Sequence, residues 1–290
     1  MKLILILLIF AIFTGCEKAV EFKLKEVSSK LVVEATIENG QFPVVVLSRS
    51  VDYFSKITPA ILAESFVHNA TITIANGAVT HTLKEYTVPV VGDYKLYYYT
   101  VDSTNLSTAF KGELDKSYSL QIIQDGKEYK AVTKIPKLNK RLDSIWWKPR
   151  PGDTSEVSVL IRATDPSGFG DYVRYWTKTN RQPFLPGFTS VYDDFIIDGT
   201  TYELEVEPGF DRNSGSTTDN RAFKKGDTVM LKLSGIDKAT YDFWRTMEFT
   251  YASVGNPFSS PIKVTTNISG GALGYFGGYA SQYKTIIIPR

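Results

Sequence analysis

The sequence has few of the residues that build common metal and catalytic centres. Among its 290 residues are one cysteine and two histidines. One cysteine excludes an intrachain disulfide, and two histidines are too few for a histidine-rich metal centre. The 33 basic residues nearly balance the 31 acidic ones, and no basic stripe is present, so we expect no binding of nucleic acid.

Catalytic and cofactor motifs are missing as well. The sequence has no G-x-S-x-G elbow, no phosphate-binding loop, no H-E-x-x-H and no dinucleotide fingerprint after a strand. We therefore predict that the protein is not an enzyme and has no catalytic residue, metal or cofactor. A pair of carboxylates that converges only in the folded chain stays open as an alternative, because such a pair leaves no sequence motif.

The composition and the first residues indicate an exported globular protein. Hydrophobic residues make up 43% of the chain and aromatic residues 13%, which predicts a buried core rich in β-structure. Residues 3–13 are all apolar and follow Lys2, but this run is shorter than the roughly 20 residues of a membrane-spanning helix. It is typical of the central part of a signal peptide.

The apolar run ends in Phe13-Thr14-Gly15-Cys16, which resembles a bacterial lipobox. In lipoproteins with this motif the cysteine thiol receives a diacylglyceryl group, and the signal is cut just before it. We predict a signal peptide over residues 1–15, and a tether over residues 16–29 whose Cys16 carries fatty acyl chains such as palmitate. Two or more acyl chains anchor a protein durably to a membrane. An ordinary secretory signal with an incidental cysteine is the alternative.

Two series of strand patterns follow the tether. Asn76-Gly77 and Asp125-Gly126 stand between alternating runs, which is the signal of a β-hairpin. About seven strands over residues 30–136 predict a β-sandwich of immunoglobulin or transthyretin type. Pro136 and the basic residues after it indicate a linker, and residues 142–290 predict a β-rich carboxy-terminal domain. We therefore expect an all-β fold of two sandwich-like units.

One helix is predicted in the second unit, near residues 238–254. Asp237 is a residue type that caps helix N-termini. Apolar residues at helical spacing define one face of this helix, and we expect that face to pack into the core. They are Phe243, Trp244, Met247, Tyr251 and Val254.

Five aromatic residues are candidates for ligand contact. They are Trp146 and Trp147 and, in a glycine-rich segment, Tyr275, Phe276 and Tyr279. Aromatic rings stack on ligands such as sugars, but adjacent strand residues point to opposite faces of a sheet. Core packing is therefore the competing interpretation for each run.

Several segments in a fixed order carry a family resemblance. After the lipobox come residues 31–35, residues 126–131 with Ile135-Pro136, Asp165-Pro166-Ser167-Gly168, residues 194–199 and residues 267–276. Together they resemble the envelope lipoproteins of domain of unknown function 4249. The resemblance implies an outer-membrane location, on the periplasmic or the surface face, in the company of TonB-dependent receptors. It implies no catalytic residue.

These observations favour one function over two alternatives. We expect an outer-membrane lipoprotein, held to the membrane by its lipid anchor, that is an accessory binding or assembly partner of a TonB-dependent receptor in nutrient uptake. The first alternative is a surface hydrolase that uses a carboxylate pair. The second is a purely structural envelope protein.

Replacement of Cys16 by serine should abolish acylation, because serine lacks the thiol that receives the lipid. Mass spectrometry of the native amino terminus should show acyl chains on wild-type Cys16 and none on Cys16→Ser, which should leave the membrane fraction. Ser28→Ala, in the same tether, is the control and should stay acylated. A wild-type amino terminus without fatty acid would contradict the prediction.

Overall fold

Strands make up most of the structure, as predicted. A computed structural model describes residues 28–51, 58–89, 95–211, 222–254, 256, 260 and 262–290, so the signal peptide and Cys16 lie outside the described residues. The strands are β1 (Leu31–Glu38), β2 (Val44–Arg49), β3 (Thr71–Ala75), β4 (Thr80–Pro89), β5 (Lys95–Val101), β6 (Lys116–Gln124), β7 (Lys127–Ile135), β8 (Arg141–Arg150), β9 (Asp153–Thr164), β10 (Tyr172–Thr179), β11 (Leu185–Tyr192), β12 (Thr201–Val206), β13 (Phe223–Lys224), β14 (Thr228–Ile236) and β15 (Leu273–Ile287). The helices are α1 (Pro59–Ser65) and α2 (Lys238–Ser253).

Most strands belong to one large sheet. Its order is β11-β10-β14-β15-β1-β2-β5-β4-β3-β6-β7. In the interior of this sheet, β15 pairs in parallel with β1 and antiparallel with β14. A second sheet has β9 as its central strand, paired with β8, β12 and β13. The large sheet therefore runs through both predicted sandwich units, whose exact bounds stay a prediction.

The large sheet curls until β7 lies against β15. This encloses a hydrophobic core, the first core, whose residues come mainly from β1 to β7 and β15. Alternate residues of β1 are buried, as are those of β7, which is the pattern of strands with one face on a core. From β15, Phe276 and Ala280 join that core. A side chain at Gly278 would place its Cβ 2.5 Å from the carbonyl oxygen of Lys134, so only glycine lets the two strands approach this closely.

Both predicted hairpins form, with different turns. Asp125 and Gly126 have φ values of 51° and 73° and join β6 to β7 directly, since Gln124 pairs with Lys127. Between β3 and β4 the loop has four residues, 76–79. The Asn76 side chain closes it by accepting a hydrogen bond from the Val79 N–H at 2.9 Å.

The predicted helix is present as α2, and its cap is confirmed. The Asp237 carboxylate accepts a hydrogen bond from the Thr240 N–H at 2.8 Å. The same carboxylate also accepts hydrogen bonds from the Thr133 hydroxyl and the Lys134 N–H of β7. The cap therefore fixes the start of α2 to the first core as well. Within the described residues, neither α1 nor α2 could span a membrane.

The predicted packing face of α2 is only partly right. Phe243 is buried and Trp244 packs beside it, whereas Met247, Tyr251 and Val254 are exposed. In the second half of the helix the buried position is taken by a carboxylate, Glu248, which bonds to β11. Hydrophobic periodicity cannot identify a polar residue as the buried one, so the sequence pattern placed the face wrongly there.

Truncation of a buried aromatic residue of β15 should destabilise the protein strongly. Phe276→Ala should lower the free energy of unfolding by about 3–5 kcal/mol, because Phe276 is fully buried in the first core. Phe169→Ala removes the same atoms from an exposed position and should change it by less than about 0.5 kcal/mol. Urea unfolding measures both; equal effects of the two substitutions would contradict the placement of β15.

Candidate functional site

Two motifs of the sequence meet at one end of the second sheet. The segment 165–171 follows β9 and leads into β10, and the turn 193–199 follows β11. Asp194 Oδ2 accepts hydrogen bonds from the N–H groups of Gly170, at 2.8 Å, and Asp171, at 2.9 Å. Asp198 Oδ1 accepts a hydrogen bond from Gly168 N–H at 2.6 Å. Two carboxylates of the turn 193–199 thus accept hydrogen bonds from backbone N–H groups of the segment 165–171.

Three carboxylates and one ammonium group converge where these segments touch. One carboxylate oxygen each from Asp165, Asp171 and Asp194 lies within 4.8 Å of the other two. Lys140 Nζ lies 2.7 Å from Asp165 Oδ1, and the two side chains are only 4% and 0% exposed. This acidic cluster has the donor set of a hard-cation site. The sequence predicted no metal site, because these residues are far apart in the chain.

Ionisable groups in and beside the acidic cluster are perturbed. Burial, and then the negative charge of Asp165, raise the pKa of the Asp171 carboxyl. Burial and the same charge raise the pKa of the Tyr202 hydroxyl to about 12. Both pKa values rise because burial and the nearby negative charge disfavour the ionised form of each group.

An apolar cavity lies directly beyond the turn 193–199. Its volume is about 710 Å³, and it is formed between the two sheets and the face of α2 that carries Tyr241, Arg245 and Glu248. Aliphatic and aromatic side chains make up most of the wall. Those are Ile161, Val173, Tyr175, Phe188, Val191, Tyr192, Ile196, Ile197, Tyr202, Leu204, Val206, Leu233, Tyr241, Phe249 and Ala252.

A few polar groups interrupt the apolar wall. The Tyr241 hydroxyl donates a hydrogen bond to Asp193 Oδ2 at 2.8 Å, and a guanidinium nitrogen of Arg245 lies 3.3 Å from the same oxygen. Burial is the main cause that raises the pKa of Tyr241, and hydrogen bonding to that hydroxyl raises the pKa of Arg245. The wall of the cavity is therefore mostly apolar, with a polar cluster formed by Asp193, Tyr241 and Arg245.

A buried polar network supports the helix side of the cavity. The Ser190 N–H donates to both carboxylate oxygens of Glu248, at 3.2 Å and 3.0 Å. Arg174 Nε donates to the Ser190 hydroxyl at 3.2 Å. The Arg174 guanidinium also lies over the rings of Trp244 and Trp176, 3.3 Å and 4.7 Å from their centroids. This network holds α2 on the strands that line the cavity.

The structure separates the predicted ligand-contact residues from the cavity. Tyr275 and Tyr279 are buried between α2 and the large sheet, and Phe276 is buried in the first core. Trp146 and Trp147 of β8 are half-buried, and none of the five lines the cavity. Packing accounts for the three residues of β15, while ligand contact at any of the five stays a prediction. Lipidation at Cys16 likewise lies outside the described residues.

Sequence reasoning missed the residues that build the cavity and the acidic cluster. Lys140 was predicted to lie in a basic linker, and no sequence pattern identified Arg174 or Glu248. The available signal was the pair of Asp-containing segments, 165–168 and 194–199, that belong to the family resemblance. Their convergence depends on the pairing of distant strands, which no local pattern reports.

Comparison with known families gives a match over most of the chain. The model of a domain of unknown function, DUF4249, matches residues 17–285. The chain belongs to this family. The match covers both sheets, so the cavity and the acidic cluster are parts of a DUF4249 domain. A search of curated proteins finds no match to the chain.

Loss of the buried ammonium group should destabilise this DUF4249 protein. Lys140→Met leaves the fully buried Asp165 carboxylate without its ion pair, which should cost about 3–5 kcal/mol in urea unfolding. Lys137→Met is the matched control, because its side chain is 63% exposed. It should change the free energy by less than about 1 kcal/mol. A Lys140→Met protein as stable as the control would contradict the assigned ion pair.

Proposed function

We propose that this protein is an outer-membrane lipoprotein that binds an apolar or amphipathic small molecule. In this role it serves as an accessory partner of a TonB-dependent receptor in nutrient uptake. The observation that carries the binding function is the cavity of about 710 Å³ between the sheets and α2. The lipobox at Cys16 supports the membrane anchor.

The shape and chemistry of the cavity support a small-molecule ligand. Sites for small ligands are commonly clefts of about 300–1,000 Å³ with apolar walls and a few polar groups that fix orientation. The wall contributes the apolar surface, and Asp193, Tyr241 and Arg245 contribute a polar cluster in a wall that also contains Glu203 and Glu248. A ligand with an apolar body and a polar end matches this distribution.

The hydrolase alternative has less support from the acidic cluster. A carboxylate pair in a glycosidase stands about 5–9.5 Å apart in a cleft that admits the substrate. The oxygens of the acidic cluster lie within 4.8 Å of one another, and Asp165 and Asp194 are buried. Such carboxylates are placed to hold a cation or a loop more readily than to reach a glycosidic bond.

A charge placed in the cavity wall should weaken ligand binding. Leu204→Glu should lower the affinity for an amphipathic fluorescent probe, such as anilinonaphthalene sulfonate, by about tenfold or more, because a carboxylate replaces part of the apolar wall and repels the sulfonate of the probe. Leu114→Glu is the matched control, since Leu114 is 37% exposed and Leu204 is 39% exposed. Probe titration of both folded proteins measures the difference. Equal probe affinity in the two variants would contradict binding in the cavity.

The receptor partnership requires a separate test. Affinity capture of the acylated protein from native outer membranes should recover a TonB-dependent receptor at a constant ratio. The same capture with Cys16→Ser should recover much less, because that variant is not held at the membrane. Recovery of the lipoprotein alone, at matched expression, would contradict the partnership while leaving the cavity assignment intact.

A further inference from the structure

We propose that Asp165, Asp171 and Asp194 bind a divalent cation of the calcium class, which ties the turn 193–199 to the segment 165–171. The inference concerns a site next to the cavity and does not depend on which ligand the cavity takes. It begins from three carboxylates on separate parts of the chain whose oxygens lie within 4.8 Å of one another.

The spacing and the type of the donor atoms suit calcium. Calcium binds oxygen ligands at about 2.3–2.6 Å, so two oxygens on opposite sides of one ion are about 5 Å apart at most. Separations of up to 4.8 Å bring a single ion to within about 2.8 Å of all three oxygens, so a small side-chain adjustment lets it contact all three carboxylates. No histidine or cysteine takes part, so the donors do not favour zinc or copper.

An unpartnered buried atom is a second, independent observation that favours a bound cation. Asp165 Oδ2 is buried and has no hydrogen-bond partner among the described residues. A buried carboxylate oxygen without a donor is costly, and native structures rarely leave one in that condition. The Asp165 side chain is fully buried, and one of its oxygens lies within 4.8 Å of an oxygen of Asp171 and of Asp194, so a cation bound among the three would satisfy the buried carboxylate.

The balance of charge in the cluster also calls for a divalent ion. Lys140 ion-pairs with Asp165, and within the described part of the chain it makes no ion pair with Asp171 or Asp194. One ammonium group neutralises one of three carboxylates and leaves two negative charges in a largely buried place. A divalent cation supplies the two positive charges that are lacking.

Cation binding would have a direct effect on the mouth of the cavity. Asp194 belongs to the same turn as Asp193, Ile196 and Ile197, which line the cavity. The turn is attached to the segment 165–171 by hydrogen bonds from Gly168, Gly170 and Asp171. An ion bound by both segments would hold the turn 193–199, and with it this edge of the cavity, in place.

Calorimetric titration of the mature acylated protein with calcium chloride, after treatment with EDTA, tests the proposal. The wild type should bind one calcium ion per chain with a Kd of about 1 mM or tighter, and calcium should raise its Tm. Asp171→Asn should bind at least about tenfold more weakly and show no rise in Tm. Asp171 is the chosen position because Asp194 accepts backbone hydrogen bonds and Asp165 holds Lys140.

Two controls make the result decisive. Asp125→Asn changes an exposed carboxylate in the β6–β7 turn and should bind calcium like the wild type. Asp171→Asn should match the wild type in Tm and circular dichroism in EDTA, which shows that it is folded, and Asp171→Ser replaces it if it is not. No calcium binding by the wild type, or equal binding by Asp171→Asn and the wild type, would overturn the proposal.

Discussion

The pairing of β15 with both β1 and β14 is the constraint on which the rest of the structure depends. This strand lies in the interior of the large sheet and joins segments that are more than 190 residues apart in the chain. Its two faces pack against different parts of the molecule. One face places Phe276 and Ala280 in the first core, and the other places Tyr275 and Tyr279 beneath α2. The strand therefore couples burial in the first half to the position of the helix in the second.

The cavity and the acidic cluster are consequences of that arrangement. Asp237 fixes the start of α2, and the Arg174–Ser190–Glu248 network fixes its later turns. The helix face that carries Glu248 therefore packs over β10 and β11. The space between the helix, these strands and the second sheet becomes the cavity. The turn 193–199 closes one side of it and is held through Asp194 and Asp198. The hydrogen bonds of the Arg174–Ser190–Glu248 network are buried, so breaking them is costly and they favour one arrangement of α2.

Local patterns in the sequence predicted the elements but not their assembly. Asp125-Gly126 and Asp237 act within four residues of themselves, so hairpin and helix cap could be predicted from turn and capping chemistry. The parallel pairing of β1 with β15 joins residues some 240 positions apart, and no periodicity encodes it. The same limit hid the acidic cluster, whose members Lys140, Asp165 and Asp194 are adjacent only after the sheets form. The buried face of α2 was misplaced for a different reason, because its inward position is the polar Glu248.

Native-state hydrogen exchange of the strands around β15 tests this account most directly. If β15 joins both halves into one cooperative unit, amides of β1, β14 and β15 should exchange only through the same global opening, with equal free energies and equal dependence on denaturant. The contradicting result is exchange of the β1 and β15 amides through a smaller opening while those of β10 and β14 stay protected. That result would mean that the sheet does not act as one unit and that β15 does not couple the first core to the cavity.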